Sequence, residues 1–324
     1  MHVGIIGCGL IGFKRAESLP PGYLKAVADV SRDRAEKLAS LYPGINAYSD
    51  WKNMLREETI DLVIVSTSNN WLAPITLAAV EMGKNVLVEK PSARHYKELD
   101  PILAVIQKNC VKVTVGYNLR FHPSFLKAKA IIDNDTLGPI MYIRGRYGHG
   151  GRIGYEKEWR ADPEISGGGE LLDQGVHLID LSRWFLGDFC EIRGHLHTYF
   201  WNMPVEDNGF IFLKNKKGQV AWLHVSCTEW KNLFSFEIFC ERGKLQIDGI
   251  GGSYGMERLT CYRMLPKMGP PETVIWEYPF PDDSWKREFD EFEKEILSGN
   301  NLQSDLTNAK EVLKIVSQLY GDQA

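Results

Sequence analysis

Four residues with polar groups recur at helical spacing in an otherwise apolar segment that runs from Ser166 to Gly187. They are Asp173, His177, Asp180 and Trp184, at positions i, i+4, i+7 and i+11, so a helix would place them along one line. Because its other faces are apolar, the helix is predicted to be largely buried. A buried carboxylate and imidazole must be paired or must face a cavity. The line is therefore either a satisfied core pair or an acid and imidazole that transfer a proton.

Glycines precede and interrupt this segment. Gly167, Gly168 and Gly169 come before the helix, and Gly175 lies within it. Glycine in a helix interior costs about 1 kcal/mol relative to alanine, so Gly175 indicates that something approaches its backbone closely. The three consecutive glycines predict that substrate or cofactor approaches the main chain before the helix begins.

A second glycine pattern lies near the start of the chain. Gly7, Gly9 and Gly12 form G-x-G-x-x-G between an apolar strand and a predicted helix, and Asp29 ends a second apolar strand 22 residues after Gly7. This context predicts a dinucleotide-binding turn, in which the glycines permit the tight turn, the approach of the pyrophosphate and close helix packing. The alternative is a glycine-rich turn of another α/β protein.

Asp29 also bears on the choice of cofactor. Its carboxylate would accept hydrogen bonds from the adenosine ribose and repel the 2′-phosphate of NADP, which favours NAD, although Arg32 could partly restore NADP binding. We expect the cofactor to contact this turn and the polar residues at the carboxyl ends of the strands. The expected contacts are Gly7, Gly9, Leu10, Ile11, Gly12, Asp29, Arg32, Ser66, Thr67, Asn69, Glu89, Lys90 and Asn118.

Apolar segments at strand and helix spacing alternate up to about residue 115, which predicts a doubly wound parallel sheet of the α/β class. Residues 1–121 are therefore predicted to form a Rossmann domain. Seven more strands are predicted between residues 191 and 278. In two of them, 210–213 and 234–239, apolar residues fall on both faces, so we expect a second copy of the chain to cover the outer face.

Three motifs, taken in order, resemble the glucose-fructose oxidoreductase, inositol dehydrogenase and rhizopine catabolism (Gfo/Idh/MocA) oxidoreductase family. They are the G-x-G-x-x-G turn, Glu89-Lys90-Pro91, and G-G-G-E-L-L-D-Q-G-V-H-L-I-D from Gly167. The resemblance extends over essentially the whole chain. It implies that residues 122–324 form an α+β domain with a large open, mostly antiparallel sheet, which binds substrate and forms a homodimer or homotetramer. The C-terminal helix is expected to pack back toward the first domain.

The resemblance also assigns roles to residues. It implies that Lys90 is the active-site lysine, that the Lys90–Pro91 bond is cis, and that Asp173 and His177 are an acid and imidazole pair that acts on a sugar or polyol hydroxyl. Ser68 and Leu72 depart from the family, in which proline and histidine are frequent at these positions. The contacts around the nicotinamide ribose are therefore left open.

The segment from residue 148 to residue 155 is too rich in glycine for a strand and too long for a tight turn, which predicts a mobile cover. For each loop residue near it, the alternative to a role in binding is an ordinary surface side chain. The residues expected to contact substrate are Lys90, Arg120, Arg152, Tyr155, Trp159, Arg160, Asp173 and His177.

Composition narrows the classes of partner. The 324 residues carry a net charge of −4, which gives no basic field for nucleic acid or a membrane surface, and no apolar run reaches membrane-spanning length. The six cysteines form no C-x-x-C pattern, so we expect reduced thiols, no metal site and a cytoplasmic location. The apolar start has no basic residues before it and is not expected to be a signal peptide.

Together these features predict an NAD(H)-dependent oxidoreductase that acts on a secondary hydroxyl or ketone of a sugar, polyol or sugar derivative. His177 would accept the hydroxyl proton, Asp173 would orient His177, and Lys90 would hydrogen-bond the same oxygen. Three alternatives stay open. They are a nucleotide-sugar ketoreductase or dehydrogenase with Arg152 and Arg160 as phosphate ligands, an NAD-dependent glycosidase, and a non-catalytic NAD-binding regulator.

Overall fold

A computed structural model describes residues 1–298 and 305–321 of the chain. Within these ranges the chain forms two compact units. The first contains residues 1–117, 164–167, 285–298 and 305–313, and the second contains residues 118–163, 168–284 and 314–321. None of the described helices is both long and apolar enough to cross a membrane.

The first unit is built on a six-stranded parallel sheet in the order β3-β2-β1-β4-β5-β6. Every residue of the central strands β1 and β4 is buried, as expected for a sheet that helices cover on both faces. This order confirms the predicted doubly wound sheet. The strands are β1 (Val3–Ile6), β2 (Leu24–Ala28), β3 (Asn46–Tyr48), β4 (Leu62–Val65), β5 (Asn85–Glu89) and β6 (Val113–Gly116), and the helices are α1 (Leu10–Ser18), α2 (Arg32–Ala39), α3 (Trp51–Glu57), α4 (Asn69–Glu81) and α5 (Asp100–Asn109).

The second unit is built on an eight-stranded sheet in the order β14-β13-β12-β11-β7-β10-β9-β8. Of the described strand pairs, β7 and β10 run parallel and the others antiparallel, which confirms the predicted large, mostly antiparallel sheet. The remaining elements of the chain, in order, are α6 (Pro123–Asp133), β7 (Ile140–Gly148), α7 (Pro163–Ser166), α8 (Val176–Leu186), β8 (Phe189–His197), β9 (Asn208–Asn215), β10 (Val220–Ser226), β11 (Leu233–Cys240), β12 (Gly243–Asp248), β13 (Glu257–Arg263), β14 (Glu272–Tyr278), α9 (Ser284–Ser298) and α10 (Asp305–Leu319). Of these, residues 164–166 of α7, 285–298 of α9 and 305–313 of α10 belong to the first unit.

Helix α8 packs against β7 and β10, and α6 packs against β12, β13 and β14. The residues of β9 alternate between buried and half-buried, and Phe210 and Phe212 are among the half-buried ones. Trp222 of β10 is exposed. One face of this sheet therefore packs on helices, whereas its other face presents aromatic side chains that the described part of the chain does not bury.

Helix α9 belongs to the first unit's core. Phe289 and Phe292 are buried among residues of β1, β2 and α2, and Ile296 packs against the same cluster. Their spacing places them on one helical stripe, so this apolar face is explained by packing.

The segment that contains Asp173 and His177 differs from the single helix that was predicted. It begins with a π-helical turn, Leu171–Gly175, and becomes α-helical only at Val176. A π turn closes its hydrogen bonds over five residues instead of four. The four-residue step from Asp173 to His177 therefore crosses a change of helix type, which a periodicity argument based on 3.6 residues per turn does not anticipate.

The glycines before this turn also have a different cause from the one predicted. A Cβ atom on Gly168 would lie 2.0 Å from the Tyr320 hydroxyl oxygen, and one on Gly169 would lie 2.0 Å from the Glu206 carbonyl oxygen. The chain's own atoms fill the space expected for substrate or cofactor, so that interpretation was wrong. The nearest contact of a Cβ atom on Gly175 would be Leu171, at 3.0 Å, and this neighbour lies in the same turn.

Candidate active site

The glycine-rich turn in the first unit has the shape that a dinucleotide requires. Gly7 has a φ of +99°, and a Cβ atom on Gly12 would lie 2.1 Å from the Gly7 carbonyl oxygen, so α1 can approach the turn only without a side chain there. In contrast, a Cβ atom on Gly9 would meet nothing within 4 Å. The turn therefore leaves open space at the glycine where a pyrophosphate would approach the backbone.

Asp29 is fixed at the end of β2. One carboxylate oxygen accepts a hydrogen bond from the Cys8 backbone N–H at 2.8 Å, and the other accepts one from the Ser31 N–H at 2.8 Å. The exposed Arg32 pairs with Glu36 at 2.7 Å. Burial, with a contribution from Asp29, raises the pKa of the Cys8 thiol to about 12, so Cys8 stays protonated at neutral pH. The acid next to the turn is thus anchored, and the nearby arginine is paired.

Other predicted cofactor residues make contacts of their own within the first unit. The Ser66 hydroxyl donates to the Gly7 carbonyl oxygen at 2.8 Å, and the Thr67 hydroxyl donates to the Ser68 carbonyl at 3.3 Å. Asn69 Nδ2 donates to the Ser166 carbonyl at 2.8 Å. In the glycine-rich turn itself, Leu10 is exposed and Ile11 is half-buried.

Lys90 lies directly after β5, in a tight turn. The Lys90–Pro91 peptide bond is cis, as the resemblance implied, and the Ser92 N–H donates to the Glu89 carbonyl at 2.9 Å. Lys90 itself is half-buried. The turn thus holds the lysine at the carboxyl end of a parallel strand, the edge at which open α/β sheets bind ligands.

Glu89 is occupied by a buried arginine that the sequence did not point out. Arg15 is fully buried. Its Nε donates to Glu89 Oε1 at 2.7 Å, its Nη2 lies 2.5 Å from the same oxygen, and its Nη1 donates to Glu288 at 2.5 Å. Burial opposes the charge of Arg15, but the two carboxylates outweigh it and raise the pKa of Arg15. Its guanidinium lies 4.4 Å from the Trp285 ring centroid, within cation–π range. The Glu89 carboxylate therefore anchors the turn next to Lys90 from inside the core.

In the second unit, Asp173 pairs with Arg160. Arg160 Nε lies 3.2 Å from Asp173 Oδ2, and its guanidinium also lies 4.6 Å from the Trp159 ring centroid. Burial opposes the Arg160 charge, but Asp173 outweighs it and raises the pKa of Arg160. The structure therefore brings together three residues that were predicted to contact substrate.

A second imidazole and carboxylate pair stands in the same unit. His149 Nε2 lies 3.4 Å from Glu170 Oε1, to which the Tyr155 hydroxyl donates at 2.9 Å. Burial opposes a charge on His149, but the hydrogen bond to Glu170 outweighs it and raises the pKa of His149. Glu170 and Tyr155 are buried. His149 and Glu170 were absent from the predicted site, although each stands beside a glycine motif that was noted.

His177 is buried near the start of α8, with its ring centroid 6.0 Å from that of Tyr147. The rings of Tyr147 and Tyr254 lie 5.3 Å apart. Burial, followed by the neighbouring Tyr254 and Asp173, raises the pKa of Tyr147 well above its ordinary value. The Tyr147 phenol beside His177 therefore stays protonated at neutral pH.

The remaining predicted residues of the second unit are paired in other ways. Arg120 forms an ion pair with Asp180 at 2.5 Å. Asp180 therefore belongs to a buried ion pair and is not available to act together with Asp173 and His177. Arg152 pairs with Glu158 at 2.6 Å and is exposed. Asn118 Nδ2 donates to the Ser284 hydroxyl at 2.9 Å.

Glu206 holds the start of the π turn. It accepts hydrogen bonds from the N–H groups of Gly169 and Leu171 at 3.2 and 3.0 Å and from the Tyr320 hydroxyl at 2.8 Å. Burial raises the pKa of Glu206 despite these donors. The glycines thus let Glu206 and Tyr320 fix the backbone that carries Asp173.

A parallel Rossmann sheet, an open glycine turn and an acid at the end of β2 define the class of NAD-binding oxidoreductases. Residues 1–117 match the sequence profile of an oxidoreductase family with an NAD-binding Rossmann fold, and residues 125–246 match the profile of the GFO/IDH/MocA C-terminal domain. The two segments cover well over half of the chain. The chain belongs to the GFO/IDH/MocA oxidoreductase family.

Two named dehydrogenases are similar in sequence to this chain. Levoglucosan dehydrogenase of Pseudarthrobacter phenanthrenivorans is 30% identical over 67% of this chain and 59% of its own length. Myo-inositol 2-dehydrogenase of Thermotoga maritima is 28% identical over 59% of this chain and 56% of its own length. The match thus spans less than two thirds of either relative.

Solved structures share the fold. The structure of levoglucosan dehydrogenase in complex with NADH and levoglucosan superposes with a TM-score of 0.88, covering 99% of this chain and 96% of that one at 22% identity. At this identity the likeness is one of fold.

Proposed function

We propose that this protein is an NAD(H)-dependent oxidoreductase that acts on a secondary hydroxyl or ketone of a sugar or polyol. The observation that carries the proposal is the cluster in the second unit, where Asp173 is held by Arg160 and His177 lies buried beside the ring of Tyr147. Acid, imidazole and guanidinium groups together suit the binding of a polyhydroxy compound and the transfer of one of its protons. The names of the relatives, levoglucosan and inositol dehydrogenases, support this substrate class.

NAD, when bound, supplies the hydride chemistry. We assign its pyrophosphate to the open backbone at Gly9 and its adenosine ribose to Asp29. The Asp29 carboxylate, held in place by two backbone N–H groups, would repel a 2′-phosphate, which supports NAD over NADP.

His177 would take the hydroxyl proton, because an imidazole ordinarily titrates near neutral pH. Lys90 would hydrogen-bond the same oxygen and stabilise negative charge as it develops there. Asp173 would orient the imidazole, with Arg160 fixing the carboxylate. The joint action of Lys90 with the other two rests on the family resemblance.

The direct test is a panel of sugars and polyols, including levoglucosan and myo-inositol, with NAD and with NADP, followed by absorbance at 340 nm. We expect reduction of NAD with at least one compound. Reactions without sugar provide the control. Failure of every compound, and of the corresponding ketones with NADH, would contradict the proposal.

The same assays distinguish the alternatives. A glycosidase would cleave nitrophenyl glycosides without net formation of NADH, and a regulator would bind NADH without turnover in either direction. A nucleotide-sugar enzyme would prefer UDP-linked sugars. Of the arginines considered as phosphate ligands, Arg160 is held by Asp173, whereas the pair of Arg152 with Glu158 is exposed to solvent.

A further inference from the structure

A series of aromatic rings leads from the His149 and Tyr155 pair to the surface of the second unit. The Tyr155 ring lies 5.6 Å from the Trp201 ring, which lies 5.1 Å from that of Phe200. Phe200 in turn meets Trp230 edge-to-face at 4.7 Å. These are ordinary distances for packed aromatic pairs. The series therefore connects the candidate substrate cluster with an exposed pair of rings.

The turn that presents these rings is rigid. The buried carboxylate of Asp207 accepts hydrogen bonds from the backbone N–H groups of Tyr199, Phe200 and Trp201 at 2.8, 2.8 and 3.0 Å. The Trp201 indole N–H donates to the Cys227 carbonyl at 2.9 Å. Three backbone donors on one buried carboxylate fix the direction in which Phe200 leaves the turn.

The second ring of the pair is held at some cost. Trp230 has a φ of +55°, in the left-handed region, which costs a bulky residue on the order of 1 kcal/mol. Despite this rigid support, Phe200 is 59% exposed and Trp230 is 64% exposed. Large exposed aromatic side chains on a well-supported backbone are typical of a binding surface.

We propose that Phe200 and Trp230 form a second sugar subsite, so that the substrate carries at least one sugar unit beyond the ring that is oxidised. One face of a pyranose consists of C–H groups, which pack on the electron-rich face of an aromatic ring, while its hydroxyls remain in water. The position of the oxidised ring rests on the proposed function. A nucleotide base could also stack on these rings, and UDP-glucose in the test below distinguishes that case.

The test compares ligands of one and two sugar units by calorimetry, with NADH present. The probes are D-glucose, D-galactose and D-mannose, their α- and β-linked disaccharides with glucose, and UDP-glucose. We expect at least one disaccharide to bind about tenfold more tightly than either of its units. Phe200→Ala and Trp230→Ala should each remove most of this advantage and change monosaccharide affinity less than about twofold. Phe280→Ala, at an exposed phenylalanine elsewhere in the same unit, is the matched control and should have no effect.

The outcomes separate the subsite from the proposed function. Oxidation of monosaccharides without any disaccharide advantage would overturn the subsite and leave the oxidoreductase proposal standing. An advantage that depends on Phe200 and Trp230, in a protein that oxidises no sugar, would support the subsite and contradict the proposed function. Tighter binding of UDP-glucose that depends on the two rings, or a lower oligomeric state in either variant by light scattering, would also overturn the subsite.

Discussion

The buried carboxylate of Asp207 fixes the backbone of the turn at residues 199–201. Four N–H groups donate to it, three from the backbone and one from Asn208 Nδ2 at 3.0 Å. Burial alone would raise the pKa of Asp207, but these hydrogen bonds outweigh it and lower the pKa. The ionised form is therefore the one that stabilises the folded protein.

Asp207→Asn should destabilise the protein by about 1–3 kcal/mol at pH 7, because one amide oxygen cannot replace two carboxylate oxygens. An unfolded aspartate titrates near 3.9, and the folded pKa is lower, so the loss should be complete above about pH 4 and should shrink as the pH falls through the folded pKa. Urea unfolding at pH 7, 5, 4 and 3 measures it. The exposed Asp133→Asn is the control, and a loss that grows on acidification would contradict the assignment.

Asp29 offers a test of cofactor choice. If its carboxylate binds the ribose hydroxyls, the wild type should prefer NAD, and Asp29→Ser should raise the NADP/NAD ratio of kcat/KM by at least about tenfold. Steady-state kinetics with both cofactors measures this ratio. A wild type that already prefers NADP would show that Arg32 dominates despite its pairing with Glu36.

At the scale of single residues, the sequence predicted the glycines of the cofactor turn more successfully than those before Asp173. The spacing of Gly7, Gly9 and Gly12 fits one ligand geometry, and the open space at Gly9 agrees with it. Gly168 and Gly169 were misinterpreted because a glycine shows only that a side chain is excluded. The excluding atoms belong to Tyr320 and Glu206, more than 30 residues away in sequence.

At the scale of elements, α1, β5 and α9 are joined by a buried ion cluster. Arg15 on α1 binds Glu89 at the end of β5 and Glu288 on α9. Removing the cation of a buried pair leaves uncompensated carboxylates, which typically costs about 3–5 kcal/mol. Arg15→Met should therefore lower the free energy of unfolding by about that amount in urea titrations.

Two further variants define this effect. Adding Glu89→Gln and Glu288→Gln to Arg15→Met should restore much of the lost stability, because no buried charge then remains. Lys286→Met, which breaks an exposed pair with Asp290 on the same α9, should cost less than about 0.5 kcal/mol. A cost for Arg15→Met that is no larger than that of Lys286→Met would contradict the cluster's role.

Most strands and helices could be predicted from the spacing of their apolar residues. Each of these elements keeps one spacing along its whole length and packs on buried neighbours. The π turn could not, because Leu171 to Gly175 has the composition of an ordinary helix and the extra residue is stabilised by its surroundings. The Arg15 cluster was missed for a related reason: its three members come from distant segments, and each resembles a surface residue when it is viewed alone.

At the scale of the whole molecule, the outer face of the eight-stranded sheet lacks a cover in the described part of the chain. Trp222 is 53% exposed and Tyr142 is 41% exposed on it. We predict a homodimer or higher oligomer in solution, associated through the region 209–247. Light scattering should detect it at micromolar concentration, and Trp222→Glu should weaken it. Trp71→Glu, at an exposed tryptophan of the first unit, is the control, and a monomeric wild type would contradict the prediction.

The central claim is that Lys90 and His177 act on one substrate hydroxyl, as the family resemblance implies. The most direct measurement is kcat, on the substrate that the panel identifies, for Lys90→Met, His177→Ala and the double variant, together with NADH affinity by fluorescence. Each single variant should lower kcat by about a hundredfold or more, with little change in NADH affinity. The double variant should lower kcat by much less than the product of the two single-variant factors, because both groups act on one oxygen. Near-normal turnover of His177→Ala, or fully multiplicative losses, would contradict the account.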